Sequence, residues 1–251
     1  MSQQQFKYSN SVILYPLLFV MVIWSVFWYQ VRVDSSIRKL GVHPQELEGL
    51  LGIVTSPFIH ADIEHLYHNT IPLFILTMAL FYFYNKIAWR VLLYGVLLSG
   101  LLTWLIGKSG NHIGASGVIY VLVSFIFFKG ILAKHYRLIA LSLMVIFLYG
   151  SMIWYVFPIK DGVSWEGHLG GLISGLLFAI IFRKQIAKPK RYVWETETYN
   201  EEDDPFMKHF DKNGNFIEVL PEEEIETTTE ADNKLQQPSI TIKYTYKKKG
   251  D

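Results

Sequence analysis

Apolar residues are grouped along the chain into six long stretches, separated by shorter polar segments. The stretches cover residues 12–31, 66–84, 91–107, 113–128, 138–159 and 169–182, and none of them contains Asp, Glu, Lys or Arg. Backbone in contact with lipid must satisfy its own hydrogen bonds, so each stretch is predicted to be a helix. A full span takes about 20 residues, which makes the fourth and sixth stretches short. We therefore predict an all-α polytopic membrane protein, a bundle of six transmembrane helices.

Composition divides the chain into two regions of different character. Hydrophobic residues make up 51% of the 251 residues, more than a water-soluble core requires. After residue 191 the apolar stretches stop, and the chain carries 15 acidic against 7 basic residues. We predict a short cytoplasmic N-terminus over residues 1–11, a six-span domain over 12–182, and a charged, acidic, mostly disordered soluble tail over 183–251.

Basic residues in the short loops indicate how the spans are oriented. If the N-terminus is cytoplasmic, the cytoplasmic flanks 1–11, 85–90, 129–137 and 183–191 hold eleven Lys and Arg residues, whereas the opposite loops hold five. Positive residues favour the cytoplasmic side of a membrane. The count therefore predicts that both termini are cytoplasmic, which requires an even number of spans. We expect an integral multi-pass protein of a bacterial cytoplasmic membrane.

Polar residues within the spans are the first candidates for function, because burying them in lipid is costly. They occur at the start of the second stretch (His65 and Asn69), of the fourth (Ser116) and of the sixth (His168). The predicted orientation places all three starts on the outer side of the membrane. The chain has no cysteine, so disulfides, thiolate metal sites and cysteine nucleophiles are excluded.

The two short stretches predict that Ser116 and His168 lie at the same depth. At about 1.5 Å per residue, a helix rises roughly 18 Å over residues 116–128 and roughly 21 Å over 168–182. If both helices end at the cytoplasmic boundary of a hydrocarbon layer about 30 Å thick, both residues sit about 10 Å below the outer surface. A serine nucleophile and a histidine base can then meet.

The neighbouring residues fit this chemistry. His168 could accept the proton of Ser116 as that oxygen attacks a carbonyl, and the helix start at Ser116 offers unpaired N–H groups to the oxyanion. His65 and Asn69 are four residues apart and share a helical face. Tyr120 lies one turn below Ser116, where its ring could pack under the imidazole. Small residues that allow two helices to approach closely are Gly114, Gly117, Gly170, Gly171 and Gly175.

Three of these motifs together resemble the rhomboid family of intramembrane serine proteases. Gly114-Ala-Ser-Gly117 is similar to the family's G-x-S-G motif, His65-x-x-x-Asn69 to its H-x-x-x-N motif, and Gly167-His168 to its terminal histidine motif. The resemblance covers roughly residues 12–182. The Trp-Arg pair often found in the family's first loop is missing between residues 32 and 64.

The resemblance implies a Ser116–His168 dyad without an acidic third member, which hydrolyses peptide bonds in or near transmembrane segments of other proteins. It also implies an oxyanion hole formed by His65, Asn69 and the backbone N–H of Ser116. The implied partners are membrane-protein substrates and the lipid bilayer, with no cofactor, metal or nucleic acid.

Other interpretations of the same residues remain open at the level of sequence. Gly-Ala-Ser-Gly alone is more typical of helix packing, and His65 and Asn69 could join helices by hydrogen bonds. Glu166 is expected to be a solvated loop carboxylate. The alternative functions are a proteolytically inactive rhomboid-like protein that binds membrane helices, and a metal or haem protein. The metal or haem alternative would use His65 and His168 together with three further histidines, His60, His68 and His112. Without a metal, these three are expected to be structural or interfacial.

Overall fold

The computed structural model describes residues 8–160, 162–185, 192, 194, 196–211 and 213–217. Across these residues the chain is helical, and β structure is limited to two isolated bridges. The α-helices in chain order are α1 (Ser11–Arg32), α2 (Gly52–Thr55), α3 (Ile63–Phe83), α4 (Asn85–Ile106), α5 (Ser116–Leu132), α6 (Tyr136–Tyr149) and α7 (Trp165–Ile181).

In the described parts of the chain, four helical segments have the length and hydropathy of a membrane span. They are Ser11–Arg32, Ile63–Phe83, Asn85–Ile106 and Tyr136–Val156, the last being α6 with the 3-10 helix Gly150–Val156 that continues it. Helices α5 and α7 are apolar but shorter, with 17 residues each. The all-helical membrane architecture is therefore confirmed, whereas a total of six crossings stays a prediction.

The chain divides into two compact units, Met1–Lys190 and Arg191–Asp251. The described part of the second unit contains two 3-10 turns, Glu201–Asp203 and Met207–His209, and an antiparallel bridge between Phe210 and Phe216. Most of the tail for which disorder was predicted, residues 218–251, lies outside the described residues.

Helix α5 forms the centre of the first unit. It packs against α3, α4, α6 and α7, and its side chains Ile119, Leu122, Phe125 and Ile126 are completely or almost completely buried. Helix α1 packs mainly against α3, and α6 against α5 and the 3-10 helix that follows it. The central position of α5 places its first residue, Ser116, inside the bundle.

The starts of α3, α5 and α7 differ in how their first N–H groups are satisfied. Asp62 caps α3 by accepting the N–H of His65 at 2.7 Å, and Ser164 caps α7 by accepting the N–H of Gly167 at 3.2 Å. Ala115 precedes α5 and offers no side-chain cap. The first turn of a helix leaves backbone donors without intrahelical partners, so among the described residues the first N–H groups of α5 lack a side-chain cap.

The first loop, between α1 and α3, is folded against the ends of the neighbouring helices. Val42 and His112 exchange two backbone hydrogen bonds of 2.9 Å, and the indole of Trp104 donates to the Glu46 carbonyl at 2.8 Å. The side chain of Gln30, at the end of α1, donates to the His60 carbonyl at 2.7 Å. These contacts tie the loop to α1, to α4 and to the segment that leads into Ser116.

Candidate functional site

Ser116 and His168 come together at the starts of α5 and α7. The Ser116 Oγ lies 3.0 Å from the Nε2 of His168, within hydrogen-bond distance. His168 is buried, with 7% of its surface exposed, and Ser116 is half-buried. The two residues are 52 positions apart in sequence, so the contact depends on the close approach of the two helices.

A backbone carbonyl fixes the orientation of the His168 ring. The Nδ1 of His168 lies 2.8 Å from the carbonyl oxygen of Tyr155. A carbonyl can only accept a hydrogen bond, so Nδ1 must carry the ring proton and Nε2 is left as an acceptor for the Ser116 hydroxyl. This is the tautomer that a general base requires, and it is held here by a neutral group in the place where many serine proteases have a carboxylate.

Tyr120 packs flat against His168. The two rings are stacked, with centroids 4.3 Å apart and planes inclined by 12°. The Tyr120 hydroxyl donates to the Met152 carbonyl at 2.5 Å. Both Met152 and Tyr155 belong to the 3-10 helix Gly150–Val156, so one segment orients both rings.

Glycines bring α5 and α7 into backbone contact below the pair. A Cβ at Gly171 would lie 2.3 Å from the Gly117 carbonyl oxygen, and a Cβ at Gly175 would lie 2.4 Å from that of Val121. Neither position has room for a side chain. The distance between the two helices, and with it the reach from Ser116 to His168, depends on these glycines.

Gly114, His65 and Asn69 surround the chain just before Ser116. Gly114 has φ +112°, a conformation that L side chains rarely adopt. A Cβ at this position would meet the Nε2 of His65 at 2.6 Å and the Nδ2 of Asn69 at 3.5 Å. Asn69 is 5% exposed, and within the described residues its Nδ2 has no hydrogen-bond partner. A buried donor without a partner is costly, and this one lies beside the nucleophile candidate.

His60 lies behind His65 in the first loop. It is completely buried, and its ring stands edge-on to that of His65 with centroids 5.1 Å apart. Burial, and then the charge of His65, lower the pKa of His60 to about 4. The imidazole is therefore neutral at physiological pH.

A small cavity adjoins Ser116. Its volume is about 40 Å³, enough for at least one water molecule at roughly 10–15 Å³ each. The polar side chains that line it belong to Ser56, Ser99, Thr103, His112, Ser116 and Ser164. Water held there would have hydrogen-bond partners and direct contact with the serine.

The expectation for Glu166 was wrong. Its side chain is buried, with 3% of its surface exposed, and its Oε1 accepts the backbone N–H of Lys108 at 3.2 Å. Glu166 lies in the first turn of α7, not in a solvated loop, because the Ser164 cap starts the helix before the apolar stretch begins. Its carboxylate is used to join α7 to the loop between α4 and α5.

Sequence reasoning missed the partners of the site that are backbone atoms. The carbonyls of Tyr155 and Met152 hold the His168 and Tyr120 rings, but no residue type marks a carbonyl that will be used in this way. In the described parts of the chain, no three His, Cys, Asp or Glu residues converge as ligands for a metal ion.

Comparison with known proteins agrees with the motifs. The family model described as Rhomboid domain matches residues 48–185. An uncharacterized protein of Mycobacterium tuberculosis is 34% identical over 178 residues, which cover 66% of this chain and 72% of the relative. An uncharacterized protein of Mycobacterium leprae is 31% identical over 181 residues, covering 66% and 69%.

Proposed function

This chain belongs to the rhomboid family, and we propose that it is an intramembrane serine endopeptidase with Ser116 as nucleophile and His168 as general base. The observation that carries the proposal is the pair of contacts made by one ring: Nε2 at 3.0 Å from the Ser116 Oγ, and Nδ1 at 2.8 Å from the Tyr155 carbonyl. Together they provide a base in the required tautomer in contact with a hydroxyl.

In the first step the Ser116 Oγ attacks the carbonyl carbon of the scissile peptide while its proton passes to the Nε2 of His168. The tetrahedral intermediate then collapses, the C–N bond breaks, and the departing amine takes the proton from Nε2. An acyl ester on Ser116 remains. The Tyr155 carbonyl orients the imidazolium that forms between the two proton transfers, but it stabilises the positive charge less than a carboxylate would.

The oxyanion is stabilised by donors that no other group occupies. Asn69 brings a buried Nδ2 without a partner, and the uncapped start of α5 brings the backbone N–H of Ser116. His65 approaches Gly114 from the same side as Asn69, with its Nε2. Donors that are already in place stabilise developing charge without reorganisation.

Water for the second half of the reaction is supplied by the cavity beside Ser116. Its wall of serine, threonine and histidine side chains can hold a water molecule next to the acyl ester. That water attacks the ester carbon and gives a proton to Nε2. The C–O bond to Ser116 then breaks, the Ser116 oxygen takes this proton back from Nε2, and the carboxylic acid product is released.

The substrates are transmembrane segments of other proteins, cut at locally unwound positions. A helical peptide bond is hydrogen-bonded and shielded by side chains, so the bond to be cleaved must be extended. We further propose that all six long helices cross the membrane with both termini cytoplasmic, in a bacterial cytoplasmic membrane. The excess of basic residues in the predicted cytoplasmic loops supports this orientation.

A fluorophosphonate probe tests the nucleophile directly. Wild-type protein purified in detergent should be labelled, mass spectrometry should locate the adduct on Ser116, and Ser116→Ala should not react. The same pair of proteins should then be compared on a panel of single-span membrane proteins, with mass spectrometry of the products. Absence of both labelling and cleavage in folded wild-type protein would contradict the proposal and favour a rhomboid-like protein that binds membrane helices without cutting them.

A further inference from the structure

A second Ser–His pair lies next to the first. The Nδ1 of His112 is 2.6 Å from the Oγ of Ser164. His112 and Ser164 are 52 residues apart, as are Ser116 and His168. His112 lies four positions before Ser116, and Ser164 lies four positions before His168. The second pair therefore connects the loop that leads into α5 with the cap of α7, directly before the two residues of the proposed dyad.

His112 is held on three sides. Its Nε2 donates to the Lys108 carbonyl at 2.9 Å, which leaves Nδ1 as an acceptor for the Ser164 hydroxyl. Its backbone exchanges two hydrogen bonds with Val42 in the first loop. Through its ring and its backbone together, His112 therefore joins the α4–α5 loop to the first loop and to the cap of α7.

Ser164 transmits this contact to α7. Its Oγ accepts the N–H of Gly167 at 3.2 Å, and its carbonyl accepts the N–H of His168 at 3.2 Å. Ser164 is thus bonded on one side to the ring of His112 and on the other to the backbone of the proposed base.

Glu166 makes a second connection between the same segments. Its buried carboxylate accepts the backbone N–H of Lys108, the residue whose carbonyl accepts from His112. Two separate hydrogen bonds thus connect the loop before Ser116 to the start of α7. One joins His112 to Ser164, and the other joins Lys108 to Glu166.

We propose that His112, Ser164 and Glu166 form a positioning clamp that holds the α4–α5 loop against the start of α7 and thereby sets the distance between Ser116 and His168. The inference rests on the proposed function, since it assigns the clamp to the same reaction. None of the three residues reacts with substrate. The Ser164 oxygen is committed to the Gly167 N–H and the His112 ring, so its role is to place His168.

A double-mutant cycle tests the clamp. The second-order rate constant for fluorophosphonate labelling of Ser116 is measured for wild type, His112→Ala, Ser164→Ala and the double variant. A misplacement of about 1 Å can cost on the order of 100-fold in rate, and for a loosened dyad we expect about tenfold in each single variant. The double variant should be no slower than the slower single one, because either change removes the same contact.

Matched variants separate positioning from stability. Ser164→Thr keeps both the cap and the hydroxyl donor and should restore labelling, and Glu166→Gln keeps an acceptor and should label faster than Glu166→Ala. Ser124→Ala removes another hydrogen bond between α5 and α7, from the Ser124 hydroxyl to the Leu172 carbonyl at 2.7 Å. This control should lower Tm as much as Ser164→Ala but leave the labelling rate within about twofold of wild type.

Hydrogen exchange provides a readout that does not depend on activity. In Ser164→Ala the backbone N–H groups of Lys108 and His112, on the opposite segment, should exchange faster than in wild type, whereas Ser124→Ala should leave them unchanged. Unaltered exchange at both residues, or single variants that label at the wild-type rate, would overturn the clamp. Wild-type protein that neither labels at Ser116 nor cleaves a substrate would contradict the proposed function itself, while the exchange result would still decide whether the clamp exists.

Discussion

The two Ser–His pairs of this protein make nearly the same contacts but differ in the reactivity expected of their serines. In each pair one ring nitrogen faces a hydroxyl and the other donates to a backbone carbonyl, that of Tyr155 for His168 and that of Lys108 for His112. The tautomers are opposite, because His168 faces its serine with Nε2 and His112 with Nδ1. A histidine within 3 Å of a serine is therefore not sufficient to identify a nucleophile.

The serines differ in what else their oxygens do. The Ser164 oxygen caps α7 through the Gly167 N–H, whereas Ser116 begins a helix that has no side-chain cap. In the described part of the chain, a buried donor without a partner, the Nδ2 of Asn69, lies close to Gly114, two residues before Ser116. A nucleophile needs a free lone pair and donors for the charge that develops. This difference is the basis for proposing Ser116, and not Ser164, as the nucleophile.

The largest effect should come from breaking the first pair. In a soluble serine protease, loss of either the serine or the histidine costs on the order of 10⁶-fold in kcat. We therefore expect Ser116→Ala and His168→Ala to reduce cleavage of a model transmembrane substrate to background, whereas Ser164→Ala should retain measurable cleavage. Equal loss in all three variants, with Tm unchanged, would remove the distinction between the pairs.

Removal of Asn69 should have the next largest effect. A single oxyanion donor is worth about 100- to 1000-fold in kcat, so Asn69→Ala should lower kcat by that factor with little change in KM. Because the Nδ2 has no partner in the described structure, its loss should not lower Tm. A variant with normal kcat and reduced Tm would instead assign Asn69 to helix packing.

Tyr120 should show a smaller effect that separates its ring from its hydroxyl. Tyr120→Ala removes the ring that stacks on His168 and should lower kcat by about tenfold, within the range of a loosened general base. Tyr120→Phe removes only the hydrogen bond to the Met152 carbonyl and should lose less. Steady-state cleavage by the two variants checks the order, and a reversed order would show that the hydroxyl is the important part.

The smallest effect on activity at neutral pH is expected from a substitution of His60. Its ring packs against His65, which is proposed to serve the first pair. The unfolded chain protonates His60 below about pH 6.5, whereas burial lowers the pKa in the folded protein to about 4. The free energy of unfolding is therefore unaffected by the titration of His60 above about pH 6.5. It decreases as the pH falls from there towards 4, because the unfolded chain binds the proton first.

Thermal unfolding at pH 7.5 and pH 5 tests the effect of His60. The Tm of wild type should fall by several degrees on acidification. His60→Phe, which fills similar space without a titrating group, should show a smaller decrease. Equal decreases in both proteins would show that His60 does not titrate in this interval.

The sequence predicted where the helices lie more accurately than where they end. Stretch 169–182 became α7 (Trp165–Ile181) because the Ser164 cap begins the helix one turn before the apolar residues. Lys129, assigned to a cytoplasmic flank, lies inside α5, is completely buried, and donates to the Phe182 carbonyl. A lysine ends an apolar pattern in the sequence without ending the helix. Here the buried ammonium group of Lys129 is hydrogen-bonded to a backbone carbonyl.

For the candidate site, the sequence indicated side chains and missed the backbone. The family resemblance is confirmed by the Rhomboid domain match, and the structure brings Ser116 and His168 together. The carbonyl of Tyr155 could not be predicted, because every residue has one and its use depends on the path of the 3-10 helix. The first loop likewise depends on contacts such as the bridge between Val42 and His112, which no periodic pattern encodes.

The 3-10 helix Gly150–Val156 affects how a mutagenesis experiment on this protein would be interpreted. The acceptors that orient His168 and Tyr120 are main-chain oxygens of this segment, and a point mutation replaces a side chain while the carbonyl remains. An alanine scan through the segment would therefore leave both acceptors in place and would not reveal their role. Two aromatic rings of the site thus depend on a stretch of chain whose importance side-chain mutagenesis would not detect.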